Sequence, residues 1–146
     1  METSKRFDLG VNIHSIDLPD DVVHKEHPGR RRGKLVKEFP EVRLHQGDGV
    51  STALGLARSI DARSRLLFFL DGDHSYESVL RELVLIVQAW PTASILIHDT
   101  FYQSSEARYN TGPFDAVNEI LNRSNSSFKV LTVNTGLPGM TLLWRR

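Results

Sequence analysis

The sequence contains no cysteine. This absence excludes disulfide bonds, thiolate metal sites and a cysteine nucleophile, and it fits a reducing compartment. The chain also has no excess of charge of either sign, because 18 basic and 18 acidic side chains give a formal net charge of zero. We therefore expect no nucleic-acid partner and no anionic membrane surface as a partner.

Long apolar runs are also missing. No stretch approaches the roughly 20 apolar residues of a membrane span, and the first residues form no signal-like apolar segment. These absences predict a cytoplasmic protein. A length of 146 residues predicts a single domain, 1–146, that is long enough to bury a core.

The sequence does contain two short apolar runs that end abruptly in acids and a histidine. The first, LLFFL at residues 66–70, is followed by DGDH, and the second, ILI at residues 95–97, is followed by HDT. Buried parallel strands have this pattern when they carry polar groups to a ligand site at their carboxyl ends.

The segment between the two runs, residues 76–90, has apolar residues at helical spacing. Ser75 can cap this helix and Pro91 stops its continuation. The unit is therefore a βαβ crossover, which places its two strands parallel in one sheet. This prediction brings five polar residues to one edge: Asp71, Asp73, His74, His98 and Asp99.

Two strands nearer the N-terminus also end in acids. Residues 11–18 end in Asp17 and Leu18, and an acid at such a strand tip can bind ribose hydroxyls, although a simple turn aspartate explains it equally well. Residues 42–46 end in Gly47-Asp48-Gly49, before a helix that includes Val50. Glycines around an acid suit a turn that passes close to a flat ligand, and a plain turn is the alternative.

The remaining segments complete an α/β pattern. Residues 20–34 form an arginine-rich loop, residues 35–39 the end of a helix, and residues 100–111 a lid or substrate wall. A helix starts at Gly112-Pro113. Residues 128–133 and 140–144 predict an antiparallel hairpin.

Three motifs carry a resemblance to a known family: DGDHSY at residues 71–76, HDT at 98–100 and GPFDAV at 112–117. They resemble the class I S-adenosylmethionine-dependent methyltransferases, in the branch that includes the cephalosporin-hydroxylase-like and metal-dependent O-methyltransferase proteins. The resemblance runs from about residue 11 to the C-terminus. It implies a three-layer Rossmann-like sheet that is mostly parallel and ends in an antiparallel hairpin.

The resemblance also implies two binding sites. The cofactor S-adenosylmethionine is expected to contact Asp17, Leu18, Gly47, Asp48, Gly49, Val50 and Asp71. A divalent cation such as Mg²⁺ is expected to bind Asp71, Asp99 and Thr100. Hard cations prefer such oxygen ligands, and a cation lowers the pKa of a bound hydroxyl so that it can attack a methyl sulfonium.

His74 and Asp71 are the catalytic candidates. His74 stands where relatives of the catechol methyltransferase type have a basic lysine, and imidazole can act as a base near neutral pH. The alternative for His74 is a role in capping or packing at the helix start. His98 either orients its neighbour, which we favour, or binds the metal.

The chain departs from the family at its start, because no strand and glycine-rich turn precede residue 11. In the family strand order, 3-2-1-4-5-7-6, the missing first strand lies between residues 11–18 and residues 66–70, so the resemblance is to an N-terminally truncated member. Exposed strand edges promote aggregation, so the vacant position must close. Either those two strands pair directly, or residues 1–10 or a second chain fill the space.

The leading functional prediction is metal-assisted O-methylation of a small-molecule acceptor. One alternative is a non-catalytic binding or interaction domain that has lost the cofactor pocket. Another is a metal-dependent hydrolase built on Asp71, Asp73, His74 and Asp99. Whether the chain forms a homo-oligomer is left open.

Overall fold

A computed structural model of the chain describes residues 10–19, 21–22, 33, 39–61, 63–102, 110–123, 127–134, 136 and 138–145. The helices and strands, in chain order, are β1 Ile13–Asp17, β2 Val42–Gln46, α1 Gly49–Ala57, β3 Leu67–Leu70, α2 Tyr76–Ala89, β4 Ser94–His98, α3 Gly112–Arg123, β5 Lys129–Val133 and β6 Met140–Trp144. Mixed α/β structure is therefore confirmed. No helix within the described residues combines the length and apolar character needed to cross a membrane.

The chain divides into two units, Met1–Ser59 and Ile60–Arg146. The single domain predicted from chain length stays a prediction. Several predicted segments lie wholly or partly outside the described residues: the end of a helix at 35–39, most of the arginine-rich loop, and positions 103–109 of the predicted lid.

The first unit contains the parallel pair β1 and β2. Its register runs from Ile13 opposite Val42 to Asp17 opposite Gln46. The predicted strand at residues 42–46 is confirmed, and β1 is shorter than the predicted 11–18. The helix α1 begins after Asp48, whose side chain accepts a hydrogen bond from the Ser51 amide, so this acid has a structural role as a helix cap.

The second unit contains a four-stranded sheet in the order β3-β4-β6-β5. The strands β3 and β4 are parallel, as the crossover predicts, and β6 is antiparallel to both β4 and β5. The predicted C-terminal hairpin is therefore confirmed. Because β6 lies between β4 and β5, only one of the three strand pairs in this sheet is parallel.

One face of this sheet is buried. Alternate residues of β4 and β6 point to it, and four of them are at most 2% exposed: Ile95, Ile97, Thr141 and Leu143. The apolar stripes of α2 and α3 supply the rest of the core, with Leu83 fully buried and Ala116 likewise. Helical spacing of apolar residues and the two-residue period of the strands together build this core.

The opposite face of the sheet is much more exposed. Leu67 is 62% exposed and Phe69 53% exposed on β3, and Leu131 and Val133 on β5 are exposed to a similar extent. The strand period places His98 on this face, where its ring makes an edge contact with the ring of Phe69. His98, the last residue of β4, therefore lies on the open side of the sheet.

The strands form two separate sheets, β1-β2 and β3-β4-β6-β5. Of the three ways to close the vacant strand position, direct pairing of β1 with β3 is therefore not found among the described strands. Residues 1–9 lie outside the described residues, so their predicted role stays a prediction.

The cap of α2 gives a first testable prediction. The Ser75 side chain accepts a hydrogen bond of 3.3 Å from the Ser78 amide. Replacing Ser75 with alanine should lower the free energy of unfolding by about 1 kcal/mol, because an amide of the first turn loses its partner. Urea denaturation followed by helical circular dichroism measures this change. Ser75→Asp should retain most of the stability, and an alanine variant as stable as the wild type would contradict the capping role.

Candidate functional site

Asp71 and His98 lie side by side at the carboxyl ends of β3 and β4. The register pairs Leu70 with Ile97, so the next residue on each strand reaches the same edge. The His98 Nδ1 atom is 2.9 Å from Asp71 Oδ1. The convergence predicted from the βαβ crossover is therefore confirmed for this pair.

His74 joins them from the turn that precedes α2. Its Nε2 atom is 3.5 Å from Asp71 Oδ1, and its Nδ1 atom is 2.6 Å from Asp99 Oδ2. The rings of His74 and His98 have centroids 5.8 Å apart. Two imidazoles therefore face one carboxylate oxygen of Asp71, while a second carboxylate contacts the far side of the His74 ring.

Two ring nitrogens of this cluster are buried without a hydrogen bond. They are His74 Nε2 and His98 Nδ1. The Asp71 Oδ1 atom is close to both nitrogens, but neither contact has the geometry of a hydrogen bond. Buried polar atoms normally have partners, and each exception calls for a physical explanation.

A metal ion would provide that explanation. One ligand atom each from Asp71, His74 and His98 lie within 4.8 Å of one another. Imidazole nitrogen and carboxylate oxygen are both common ligands of divalent transition metals. The three side chains, which we call the Asp71 triad, form a candidate metal centre.

Asp99 lies beside the triad in an unusual backbone conformation. Its φ angle is +57°, the left-handed region that residues with a side chain seldom adopt. In this conformation Asp99 Oδ1 is 3.3 Å from His98 Nδ1, while Oδ2 contacts His74. Strained residues of this kind persist where the surrounding structure holds them, and they are frequent at functional sites.

Thr100, the third predicted metal ligand, has a different environment. Its side chain is buried, at 1% exposure, and its hydroxyl accepts a hydrogen bond of 2.8 Å from the Thr141 hydroxyl on β6. The structure thus brings Asp71 and Asp99 together at the histidines and joins Thr100 to the sheet. Metal binding by Asp71, Asp99 and Thr100 stays a prediction.

Asp73 was expected at the same edge. Its Oδ1 atom accepts a hydrogen bond of 2.9 Å from the Ser75 amide, which shapes the turn before α2. The metal-ligand group found among the described residues does not include it. Asp73 therefore has a local structural role in the turn before α2.

Two residues with no predicted role at this site hold the His74 turn. The Asn110 side-chain amide donates a hydrogen bond of 2.7 Å to the His74 carbonyl, and the Gly112 amide donates one of 2.9 Å to the Asn110 side chain. A Cβ atom on Gly112 would lie 2.6 Å from the His74 carbonyl oxygen. The sequence signal was present, since an asparagine two residues before a Gly-Pro helix start can make such turn contacts.

The first unit has its own candidate edge, at the carboxyl ends of β1 and β2. The Gly47 amide donates a hydrogen bond of 3.0 Å to the Asp17 carbonyl, so the predicted ribose and adenine positions are neighbours. The Asp17 side chain accepts a bond of 2.9 Å from the Leu18 amide. Val50 is buried, at 3% exposure, and packs in the core of this unit. Cofactor contacts from these residues stay predictions.

A histidine pair on the same two strands was not foreseen. His14 Nδ1 lies 3.1 Å from His45 Nε2, and the two rings are nearly parallel. Burial lowers the pKa of His14, and the nearby His45 and Arg43 lower it further. The pair depends on the β1-β2 register, which the sequence alone does not specify.

This pair predicts a pH dependence of stability. Because the folded pKa of His14 is below its unfolded value of about 6.5, the unfolded chain binds more protons in acid. Stability from this group is complete above pH 6.5 and is lost as the pH falls from there through the folded pKa. We expect His14→Gln to lose less stability than the wild type between pH 8 and pH 5, measured by urea denaturation. An equal loss in both proteins would contradict this role.

Two comparisons with known proteins identify no relative of the chain. No protein-family model matches the chain, and a search of curated proteins gives no significant match. The described structure is a mixed α/β fold with a candidate metal centre at the end of parallel strands.

Proposed function

We propose that this chain carries the site of an S-adenosylmethionine-dependent methyltransferase, in which a divalent cation assists methylation of an oxygen nucleophile on a small molecule. The observation that carries the proposal is the strand order. The sheets run β2-β1 and β3-β4-β6-β5. Within each sheet this agrees with the order of the corresponding strands in the family that the motifs resemble, 3-2 and 4-5-7-6. The finer, Rossmann-like description of the fold is part of this proposal.

The position of the Asp71 triad supports the proposal that a cation binds here. In the metal-dependent branch, acids after the fourth and fifth strands hold it, and these places fall on Asp71 and Asp99. Both carboxylates lie within 3.3 Å of His98 Nδ1. The two buried nitrogens without hydrogen bonds make the site suitable for a positive ion, which would give them a partner.

Asp17 and Gly47 suit the adenosine end of the cofactor. Asp17 and Gly47 are hydrogen-bonded neighbours at the carboxyl ends of a parallel pair, where an acid and a glycine turn suit the ribose and adenine. When bound, the cofactor supplies an electrophilic methyl group.

The chain's own contribution would be to activate the acceptor. A cation at Asp71 would lower the pKa of an acceptor hydroxyl. His74, oriented by its 2.6 Å contact with Asp99, would act as the base that accepts the released proton. Its neighbours Asn110 and Gly112 hold the turn from which this ring projects.

Binding of S-adenosylhomocysteine tests the proposed function. We expect calorimetric titration of the full chain to show binding, and Asp17→Ala to weaken it by about ten- to a hundredfold, since a hydrogen bond to a charged group is worth about 1.5–3 kcal/mol. Asp21→Ala removes a nearby exposed acid and is the matched control. No heat with millimolar ligand, with or without a divalent cation, would contradict methyl transfer.

A metal-dependent hydrolase is the second candidate. The two imidazoles and one carboxylate of the Asp71 triad favour it, because catalytic zinc sites often have three protein ligands and an open position. A hydrolase of this kind would bind metal without S-adenosylhomocysteine. A chain that binds neither would instead fit the non-catalytic interaction domain.

A further inference from the structure

We propose that Asp71, His74 and His98 form a binding centre for a divalent transition-metal ion of the zinc class, selective against Mg²⁺. This inference rests on the proposed function for the presence of a cation at this edge. It changes the cation's class and ligands, replacing Asp99 and Thr100 by the two histidines. His74 then becomes a metal ligand instead of the base.

The donor atoms favour this class of metal. Mg²⁺ and Ca²⁺ take oxygen ligands, whereas imidazole suits Zn²⁺, Fe²⁺, Ni²⁺ and Cu²⁺. Two of the three donors in the triad are imidazole nitrogens. The hydroxyl of Thr100, an oxygen that a hard cation would use, accepts a hydrogen bond from Thr141.

The spacing of the donors suits one shared ion. Ligand atoms about 2.0–2.1 Å from a zinc ion are separated by about 2.9–3.4 Å when their bonds meet at angles from 90° to the tetrahedral value. Asp71 Oδ1 is 2.9 Å from His98 Nδ1 and 3.5 Å from His74 Nε2. One ligand atom of each residue lies within 4.8 Å of the others. The two imidazole donors would therefore approach one another by at most about 1.4 Å when all three side chains bind one ion with tetrahedral geometry.

The surroundings orient the His74 ring for this role. Its Nδ1 atom contacts Asp99 at 2.6 Å, so a proton held between them leaves the lone pair on Nε2, which faces Asp71. Metal-binding histidines usually have such a carboxylate on the other nitrogen. Asp99 reaches this position through its left-handed backbone, with φ +57°. Asp99 is thus a positioning residue in this centre.

The two buried nitrogens are the second, independent observation. His74 Nε2 and His98 Nδ1 make no hydrogen bond although both are shielded from solvent. They are the same two atoms that the spacing assigns as ligands. A bound ion would satisfy both atoms at once and would leave coordination positions open for an oxygen ligand.

Metal titration of the chelator-treated full chain tests the proposal. Calorimetry should show one Zn²⁺ per chain, and Co²⁺ should develop visible absorption bands that Zn²⁺ removes. Millimolar Mg²⁺ should leave zinc binding unchanged. Asp99→Asn should weaken zinc binding about ten- to a hundredfold, as expected for an outer-shell partner, and His98→Gln or Asp71→Asn should weaken it more.

Two control variants make the titration specific. Asp73→Asn removes a neighbouring acid that bonds the Ser75 amide, and His14→Gln disrupts the other histidine pair. Both should keep wild-type zinc affinity. If His14→Gln alone removes binding, zinc occupies the other pair and the proposal is overturned.

The wild-type chain provides a test that needs no substitution. Zinc should shift the ring-nitrogen NMR signals of His74 and His98 together, with one ion per chain. Unchanged signals would overturn the proposal even if a variant fails to fold.

The result also separates this proposal from methyl transfer, because no cofactor is present in the titration. Zinc binding without S-adenosylhomocysteine binding would keep the metal centre and contradict the proposed function. Mg²⁺ binding that needs Asp99 and Thr100 and tolerates His98→Gln would overturn the zinc-class centre. It would leave the proposed function standing.

Discussion

Replacing Leu83 with alanine is expected to lower the free energy of unfolding by about 2–5 kcal/mol, the usual cost of removing a large apolar side chain from a core. Leu83 is fully buried on α2, among the side chains that cover one face of the four-stranded sheet. Native domains have a total stability of only about 5–15 kcal/mol, so this one change should remove a large part of it. Urea denaturation followed by circular dichroism measures the loss.

Leu67→Ala is the matched control, because it removes the same atoms from a side chain that is 62% exposed. Surface substitutions usually change stability by no more than about 0.5 kcal/mol. Equal losses for the two variants would mean that the open face of the sheet is covered in solution, and that the core described for α2 is not the main source of stability.

Replacing Gly112 with alanine should affect both stability and the metal centre. The new Cβ atom would lie 2.6 Å from the His74 carbonyl oxygen and 2.8 Å from the Tyr76 amide nitrogen. Both neighbours are main-chain atoms, so α3 and the His74 turn must move apart. We expect a loss of about 1–3 kcal/mol in unfolding free energy, the typical cost of overpacking. Zinc affinity should fall as well, because the His74 ring moves with its turn.

Gly55→Ala is a suitable control, since a Cβ atom there meets nothing within 4 Å. Alanine is also about 1 kcal/mol better than glycine within a helix, so this variant should be neutral or more stable. Unchanged zinc affinity in Gly112→Ala, together with unchanged stability, would contradict the close approach between α3 and the His74 turn.

Regular patterns made much of the fold predictable. Helical spacing on either side of Leu83 and the apolar runs before Asp71 and His98 specified the βαβ unit, and the unit in turn brought the polar residues together. The second strand of the first unit, Val42–Gln46, was predicted residue for residue. These elements follow from the local spacing of apolar residues and from the general right-handedness of βαβ crossovers.

The roles of individual side chains were less predictable, for physical reasons. The positive φ at Asp99 changes the direction of the chain after β4, and no glycine marks it in the sequence. That turn decides that the Asp99 carboxylate contacts His74 while the Thr100 hydroxyl meets Thr141. The contact between His14 and His45 likewise depends on strand register. Such features follow from tertiary geometry, which sequence patterns do not specify.

Anomalous diffraction from crystals soaked with zinc tests the central claim most directly. A single strong peak at the zinc absorption edge is expected at the ends of β3 and β4, with Asp71, His74 Nε2 and His98 Nδ1 as its protein ligands at about 2.0–2.2 Å. Asp99 should not bind the ion and should keep its contact with the Nδ1 atom of His74. A peak bound instead by Asp99 and Thr100, or no peak near Asp71 in crystals that hold zinc elsewhere, would contradict the metal centre proposed for these three residues.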